Sequence, residues 1–145
     1  MARTREEKKI HPLDLEKNVG VGIPFPLGGT PIFRTTRTTE AQALSNLKNL
    51  LLTRKGERPF QPLFGTDVPS YLFENIDAEV VTNLESGLRE DIKFWLPYIN
   101  IADITVTSSP DTNSLSVSFT FSVGETGANQ IIILDIDSQG GLSIA

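Results

Sequence analysis

The chain of 145 residues is 39% hydrophobic and 21% charged, and it contains no cysteine. This length suits one domain with a single core. Without cysteine, neither a disulfide nor a thiolate metal site can form. No apolar run approaches the ~20 residues that a membrane-spanning helix needs. The charged first ten residues lack the apolar stretch of a secretory signal, so we expect no leader.

The net charge of −5 conceals an asymmetry along the chain. Residues 1–66 hold 11 of the 13 basic residues but only six of the 18 acidic ones, which leaves +5 in this part and −10 in the rest. A basic arm on an acidic body can bind nucleic acid, but acidic residues interrupt this arm and no aromatic residues alternate with its bases. We therefore favour a solvated or partner-docking arm.

Residues 1–38 are predicted to form an extended N-terminal arm, followed by one domain over residues 39–145. Glycine and proline punctuate residues 20–31, and no helical period is sustained there. The apolar residues of the arm can be buried along the domain or along a neighbouring protein. The part before residue 20 has little to bury, so we expect only partners to order it.

The first helix is predicted to begin with a capping box formed by Thr39 and Gln42. Gly56 and Pro59 are expected to end this helix. A second helix is predicted from its N-cap Asp77 to the residues before Pro97. Residues 69–76, between the helices, are expected to form a short helical turn or an irregular segment. The apolar stripes of the two helices are Leu44, Leu47, Leu50 and Leu51, and Val81, Leu84, Leu88, Ile92 and Trp95.

After Pro97 the apolar period changes from 3.6 to 2, which indicates strands. Strands are predicted over residues 99–107, with an irregularity at 102–103, and over residues 115–123 and 130–137. The fold class is therefore α+β, with two main helices packed on one face of an antiparallel three-stranded meander. An uncovered edge strand of such a sheet is a template for a strand of another protein. The pattern leaves open which strand is that edge.

The residues that could serve catalysis or ligand binding are better explained by structural roles. Lys55-Gly56 follows a helix and lacks the Ser or Thr of a phosphate-binding loop. Glu74 and Asp77 could serve glycoside hydrolysis, but capping and solvation explain such acids more simply. His11, the only histidine, has no partners for a catalytic triad or a zinc site. Trp95 is expected in the core, and we expect no catalytic residue, cofactor or metal.

The stretch from Arg54 to Gly65 predicts a rigid junction after the first helix. Arg54 and Arg58 can bind free carbonyl groups at the helix end, with Glu57 as a partner within reach. Prolines and Gly65 fix the backbone of the connection. Three apolar residues are expected to pin it to the core, namely Phe60, Leu63 and Phe64.

The sequence TRKGERPFQPLFG at residues 53–65, followed by LFE at residues 72–74, resembles the baseplate wedge proteins of contractile tails, which are often labelled lysozyme-like. The resemblance spans about residues 20–145 and includes residues 22–25 of the arm. Members occur in contractile-tailed phages, in type VI secretion baseplates and in related injection machines.

This resemblance implies a non-enzymatic structural protein of the virion, assembled in the host cytoplasm. Its implied place is the inner baseplate wedge, where it links wedge proteins to the first sheath ring and helps to seed sheath assembly. The implied partners are other wedge proteins, tail sheath subunits by strand pairing, and inner hub or tube proteins, but neither nucleic acid nor membranes. The alternatives are a type VI secretion or related baseplate subunit, a peptidoglycan hydrolase and a free-standing adaptor.

Many members carry Glu-Pro-Arg after the second helix, and its charges are thought to engage the helical bundle of the wedge. This chain has Leu96-Pro97-Tyr98 there, so we expect Leu96 and Tyr98 to make that contact by packing. Glu74 fits the pattern as an anchoring residue. The full set of candidates for the junction or a partner interface is Arg54, Arg58, Phe64, Glu74, Leu96, Pro97 and Tyr98.

Overall fold

The computed structural model describes residues 12–16, 18–25, 27, 34–71, 78–109, 114–124, 129–136 and 142–144. It confirms the α+β class, with two long helices and the antiparallel meander of three strands. The elements in chain order are a 3-10 helix at Pro12–Leu15, helices α1 (Thr39–Leu52), α2 (Val68–Tyr71) and α3 (Ala78–Trp95), and strands β1 (Ile99–Ser109), β2 (Ser114–Val123), β3 (Gln130–Ile136) and β4 (Leu142–Ile144).

Both ends of α1 differ from the prediction. The N-cap is Thr38 and not Thr39, because the Thr38 hydroxyl accepts a hydrogen bond from the N–H of Ala41. Gln42 does not reach back to the cap. Its side-chain oxygen instead accepts a 2.6 Å hydrogen bond from the hydroxyl of Thr36. The helix already ends at Leu52, before Gly56 and Pro59, because the backbone becomes extended at the C-cap Thr53.

Helix α3 follows the predicted apolar stripe and ends at Trp95, ahead of Pro97. Leu84, Leu88 and Ile92 are buried, and the partly buried Trp95 packs against the core as predicted. Its predicted N-cap, Asp77, lies outside the described residues. Helix α2 accounts for the start of the predicted helical turn at residues 69–76, and residues 72–76 also lie outside the described part.

The four strands lie in the order β1-β2-β3-β4, and each pairs with its neighbour in antiparallel fashion. The register of β1 on β2 shifts between Ile101 and Asp103, which confirms the predicted irregularity. The short strand β4, which the periodicity does not predict, pairs with the end of β3. Among the described strands, β1 is therefore an edge along its whole length.

One hydrophobic cluster joins α1, α3 and the inner face of the sheet. Strand β2 supplies Val117, Phe119 and Phe121 to this core, and its serine and threonine residues alternate with them toward the other face. Strand β3 alternates in the same way, with exposed Ile131 and Ile133 on the outer face. Because α1 and α3 pack on the inner face, no described helix covers the outer face of the sheet.

The arm is attached to the domain by specific contacts. The carboxylate of Asp14 accepts hydrogen bonds from the N–H and the hydroxyl of Thr39, at 2.8 and 2.9 Å. Gly22 and Thr36 form an antiparallel bridge, and the N–H of Phe25 donates to the hydroxyl of Ser45. The expectation that only partners order the part before residue 20 is therefore wrong for Asp14, which lies on the start of α1.

Candidate functional site

The junction loop, residues 53–67, is closed by its own backbone hydrogen bonds. The N–H of Thr66 donates to the carbonyl of Thr53 at 2.8 Å, and the N–H of Gly56 donates to the carbonyl of Pro62 at 2.7 Å. Arg54 and Thr66 also form a parallel bridge. Because both ends and the middle of the loop are bonded, its backbone is held in a defined conformation.

Gly65 makes this closure possible. Its φ of +117° lies in a region that side chains disfavour. A Cβ atom at this position would overlap the carbonyl oxygen of Thr53. The predicted role of Gly65 in fixing the junction is thus explained by both its conformation and the space around it.

The two arginines of the junction differ in their surroundings. The guanidinium of Arg58 lies 3.8 Å above the ring of Phe64 and donates a hydrogen bond to the side chain of Asn49 in α1. The side chain of Arg54 is exposed and makes no hydrogen bond or ion pair with another described residue. Glu57 was predicted to pair with these cations, but its carboxylate instead accepts from the backbone N–H of Arg54.

The cation that fastens the loop to the rest of the domain is Lys55. Its amine lies 2.8 Å from a carboxylate oxygen of Asp91 on α3 and 3.4 Å from one of Asp67. Burial lowers the pKa of Lys55, but the hydrogen bond and charge of Asp91, helped by Asp67, raise it above its ordinary value. Sequence reasoning missed this role because Asp91 is distant along the chain.

The apolar residues of the junction loop divide into two groups. Phe64 is only 9% exposed, and its ring packs edge-on against Trp95 with the centroids 5.2 Å apart. Phe60 and Leu63 are 98% and 75% exposed. The prediction that these two residues pin the loop to the core is therefore wrong, because Phe64 alone turns inward. Phe94, at the end of α3, is also 75% exposed, and its ring contacts Trp95.

The segment Leu96-Pro97-Tyr98 connects α3 to β1. Leu96 is buried in the core, whereas Pro97 is exposed and Tyr98 is partly exposed. The phenolic oxygen of Tyr98 accepts a 2.8 Å hydrogen bond from the amide of Asn46 on α1. Asn46 in turn accepts from the side-chain amide of Gln42. The hydroxyl of Tyr98 is thus held by α1.

A cleft of about 380 Å³ lies between the arm and α1, lined among others by Phe25, Gln42 and Asn49. None of the described residues that line it is ionisable. In the described part of the chain, no group of three or more potential metal ligands occurs. No helix among the described residues is long and apolar enough to cross a membrane. Glu74 and His11 lie outside the described residues, so their predicted roles stay predictions.

Comparison with protein-family models gives a match over residues 37–127 to the family described as baseplate wedge protein gp25. A curated relative, baseplate wedge protein gp25 of Enterobacteria phage T4, is 36% identical over 84 residues. This match covers 55% of the present chain and 64% of the T4 protein, so the chain spans less than two thirds of that relative.

Two solved structures share the fold. A crystal structure from Geobacter sulfurreducens, of a protein provisionally named tail lysozyme, has a TM-score of 0.63 at 19% identity, over 72% of this chain and 95% of that one. A chain from the baseplate complex of the type VI secretion system has a TM-score of 0.56 at 14% identity, over 66% and 90% of the two chains.

Proposed function

Because the chain belongs to the baseplate wedge protein gp25 family, we propose that it is a structural component of a contractile phage tail. Its place is the inner baseplate wedge, and it links wedge proteins to the first sheath ring and helps to seed sheath assembly. It is carried in the virion after assembly in the host cytoplasm. The match to the T4 baseplate wedge protein carries this proposal.

Strand β1 is the proposed site of sheath pairing. It spans Ile99–Ser109, and among the described strands only β2 lies beside it. No described strand pairs with the other side of β1, and an extended strand of another protein can pair with the backbone N–H and C=O groups there. On the opposite side of the sheet, β4 already pairs with the end of β3, which leaves a shorter open edge there.

Proline substitutions in β1 test this pairing. Neighbouring residues of a strand direct their N–H groups to opposite sides of the strand. Of the two variants Thr105→Pro and Val106→Pro, one therefore loses an N–H that points toward β2, and the other loses an N–H at the free edge. We expect the variant altered at the free edge to keep its circular dichroism spectrum and to stop polymerisation of the purified sheath protein of the same tail. Normal sheath growth from that folded variant would refute strand pairing.

The wedge-facing surface is proposed to include the junction and the end of α3. Arg54, Arg58 and Phe64 belong to the junction, and Glu74 is proposed as an anchoring residue. Pro97 and Tyr98 are exposed enough to contact a partner directly. Leu96 is buried within this chain, so its part in such a contact is to support the backbone beneath them. Inner hub or tube proteins are further candidate partners, and neither nucleic acid nor a membrane is required.

A type VI secretion or related injection-machine baseplate subunit is the alternative, favoured by the shared fold with a chain of such a baseplate. The neighbouring genes separate the two origins. Capsid genes beside this one would support the phage tail, and a secretion ATPase gene would support the alternative.

We also propose that the protein is not an enzyme. The similarity to a protein named tail lysozyme makes peptidoglycan hydrolysis the rival to test. A turbidity assay on purified cell walls, with the wild type and Glu74→Ala, decides between them. Clearing that is lost on substitution would refute the structural role, and no clearing by either protein is expected.

A further inference from the structure

We propose that the exposed side of the junction loop docks into an apolar pocket with acidic walls on another protein subunit of the same assembly. The docking group is the knob, defined as Phe60, Leu63 and Arg54. This inference rests on the proposed function and adds the chemistry of the partner. Three observations carry it: the rigidity of the loop, the exposure of its apolar residues and the charge beside them.

The loop holds the knob in place before any partner binds. Backbone hydrogen bonds close it at Thr53 and Thr66 and again between Gly56 and Pro62. The N–H of Gln61 donates to the carbonyl of Arg58, so Phe60 lies within a tight turn. A rigid loop loses little conformational entropy on docking, which favours its use as a preformed binding element.

The apolar side chains of the knob are not buried in the core of this chain. Phe60 is 98% exposed although the loop around it is fixed, and Leu63 is 75% exposed. Both residues belong to the same short loop, three positions apart in the sequence. Exposed large apolar side chains that lie together on a rigid surface are typical of protein interaction sites.

The exposed charge of Arg54 indicates which residues would line the pocket of the partner. Lys55 is neutralised within the chain by Asp67 and Asp91. Arg54 is left exposed and makes no hydrogen bond or ion pair through its guanidinium with another described residue. A guanidinium beside apolar anchors fits carboxylates at the rim of a pocket. A protein is favoured over an anionic membrane because the whole chain carries a net charge of −5.

The double variant Phe60→Ser, Leu63→Ser tests the apolar contact. The probes are the purified wedge proteins and the sheath protein of the same tail, each titrated separately. Because both side chains are exposed, we expect unchanged thermal unfolding, at least tenfold weaker binding to one wedge protein and normal sheath assembly. The matched control is Ile131→Ser, which removes an isoleucine that is 71% exposed on the outer face of the sheet and should leave wedge binding unchanged.

Arg54→Glu tests the charge of the pocket. We expect it to weaken binding to the same wedge protein, and a lysine in place of an acidic residue of that protein should restore the affinity. Arg34→Glu, which reverses another exposed cation outside the loop, is the control and should have no effect. Equal weakening by both reversals, without rescue, would refute a specific acidic pocket.

The outcomes separate this inference from the proposed function. If the wild type binds a wedge protein and the double variant binds it equally well, the knob is refuted and the proposed function stands. If the wild type binds none of the wedge or sheath proteins, both fail. Two further results would refute the inference. If the wild type floats with phosphatidylglycerol vesicles and Phe60→Ser does not, the occupant is a membrane. If the wild type self-associates in sedimentation velocity and Phe60→Ser does not, the occupant is a second copy of this chain.

Discussion

At the scale of single residues, the junction loop depends on Gly65. Its positive φ brings the backbone against Thr53, where no side-chain atom fits. Gly87 on α3 offers the opposite situation, since nothing lies within 4 Å of the position that a Cβ would take. These two glycines allow the effect of a crowded, positive-φ position to be separated from the general effect of replacing glycine.

We expect Gly65→Ala to destabilise the protein by about 1–3 kcal/mol or more, because alanine at this φ is strained and its Cβ overlaps the Thr53 carbonyl. Gly87→Ala should stabilise α3 by up to about 1 kcal/mol, because alanine is the better helix former. Denaturant unfolding of both variants measures the difference. Similar stabilities for the two would show that the loop relaxes without cost.

Lys55 gives the loop a dependence on pH. Its pKa is raised in the folded protein through Asp91 and Asp67, so the folded state holds the proton more tightly than the unfolded chain. The stabilisation is therefore fully present below about pH 10.5, the ordinary lysine value. It is lost as the pH rises through the higher pKa of the folded state.

We expect the free energy of unfolding to fall more steeply above about pH 10.5 for the wild type than for Lys55→Met, since only the wild type loses this ion pair. Chemical denaturation of both proteins between pH 8 and pH 11.5 measures it. Lys48→Met, at a lysine that forms no ion pair with another described residue, is the control and should follow the wild type. Parallel curves for wild type and Lys55→Met would contradict the assigned role.

At the scale of elements, α1 is capped twice. Thr38 caps it from the adjacent residue, and Asp14 of the arm caps it from a distance through Thr39. A carboxylate at a helix N-terminus is also favoured by the helix dipole. The hydrogen bonds between Asp14 and Thr39 thereby attach the 3-10 helix at Pro12–Leu15 to the start of α1.

We expect Asp14→Ala to release the start of the arm and to leave the core folded, because the two hydrogen bonds to Thr39 are lost while Thr38 still caps α1. Limited proteolysis should then cut near residues 12–19 much faster than in the wild type, with unfolding changed by no more than about 2 kcal/mol. Glu16→Ala alters an exposed neighbouring acid and serves as the control. Equal cleavage of both variants would rule out Asp14 as the attachment.

The elements also show what the sequence can predict. Strand β2 was predictable because apolar and polar residues alternate strictly from Leu115 to Val123. The irregularity of β1 at Asp103 was predictable because the apolar alternation of β1 itself is interrupted there. Strand β4 was not, since three residues are too few to show a period. The inward turn of Phe64 and the outward positions of Phe60 and Leu63 were also hidden, because a loop has no period that separates inner from outer positions. Only the folded structure shows that Phe64 packs against Trp95.

At the scale of the whole molecule, one core serves helices and sheet alike. Phe119 and Phe121 of β2 belong to the same cluster as Leu47 of α1 and Leu88 of α3. A domain with a single shared core is expected to unfold in one cooperative transition. Trp95 is the only tryptophan and lies at the edge of this cluster, so its fluorescence reports on the same event.

We expect far-UV circular dichroism and Trp95 fluorescence to give the same unfolding midpoint. Phe119→Ala should lower the free energy of unfolding by about 3–5 kcal/mol through loss of a fully buried ring. Ser118→Ala, on the other face of the same strand, should change it by no more than about 0.5 kcal/mol. Two separate midpoints would contradict a shared core.

The hydrogen bonds of Gln42 and Asn46 connect parts of the chain that lie far apart in sequence. Thr36 of the arm donates to Gln42, Gln42 donates to Asn46, and Asn46 donates to Tyr98 just before β1. Each amide uses its oxygen on one side and its nitrogen on the other, so the series has a single polarity. Gln42 and Asn46 can reverse only together, because reversing one alone would set two amide oxygens or two amide nitrogens against each other. The arm and the entry to β1 are therefore linked by paired amides along one turn of α1.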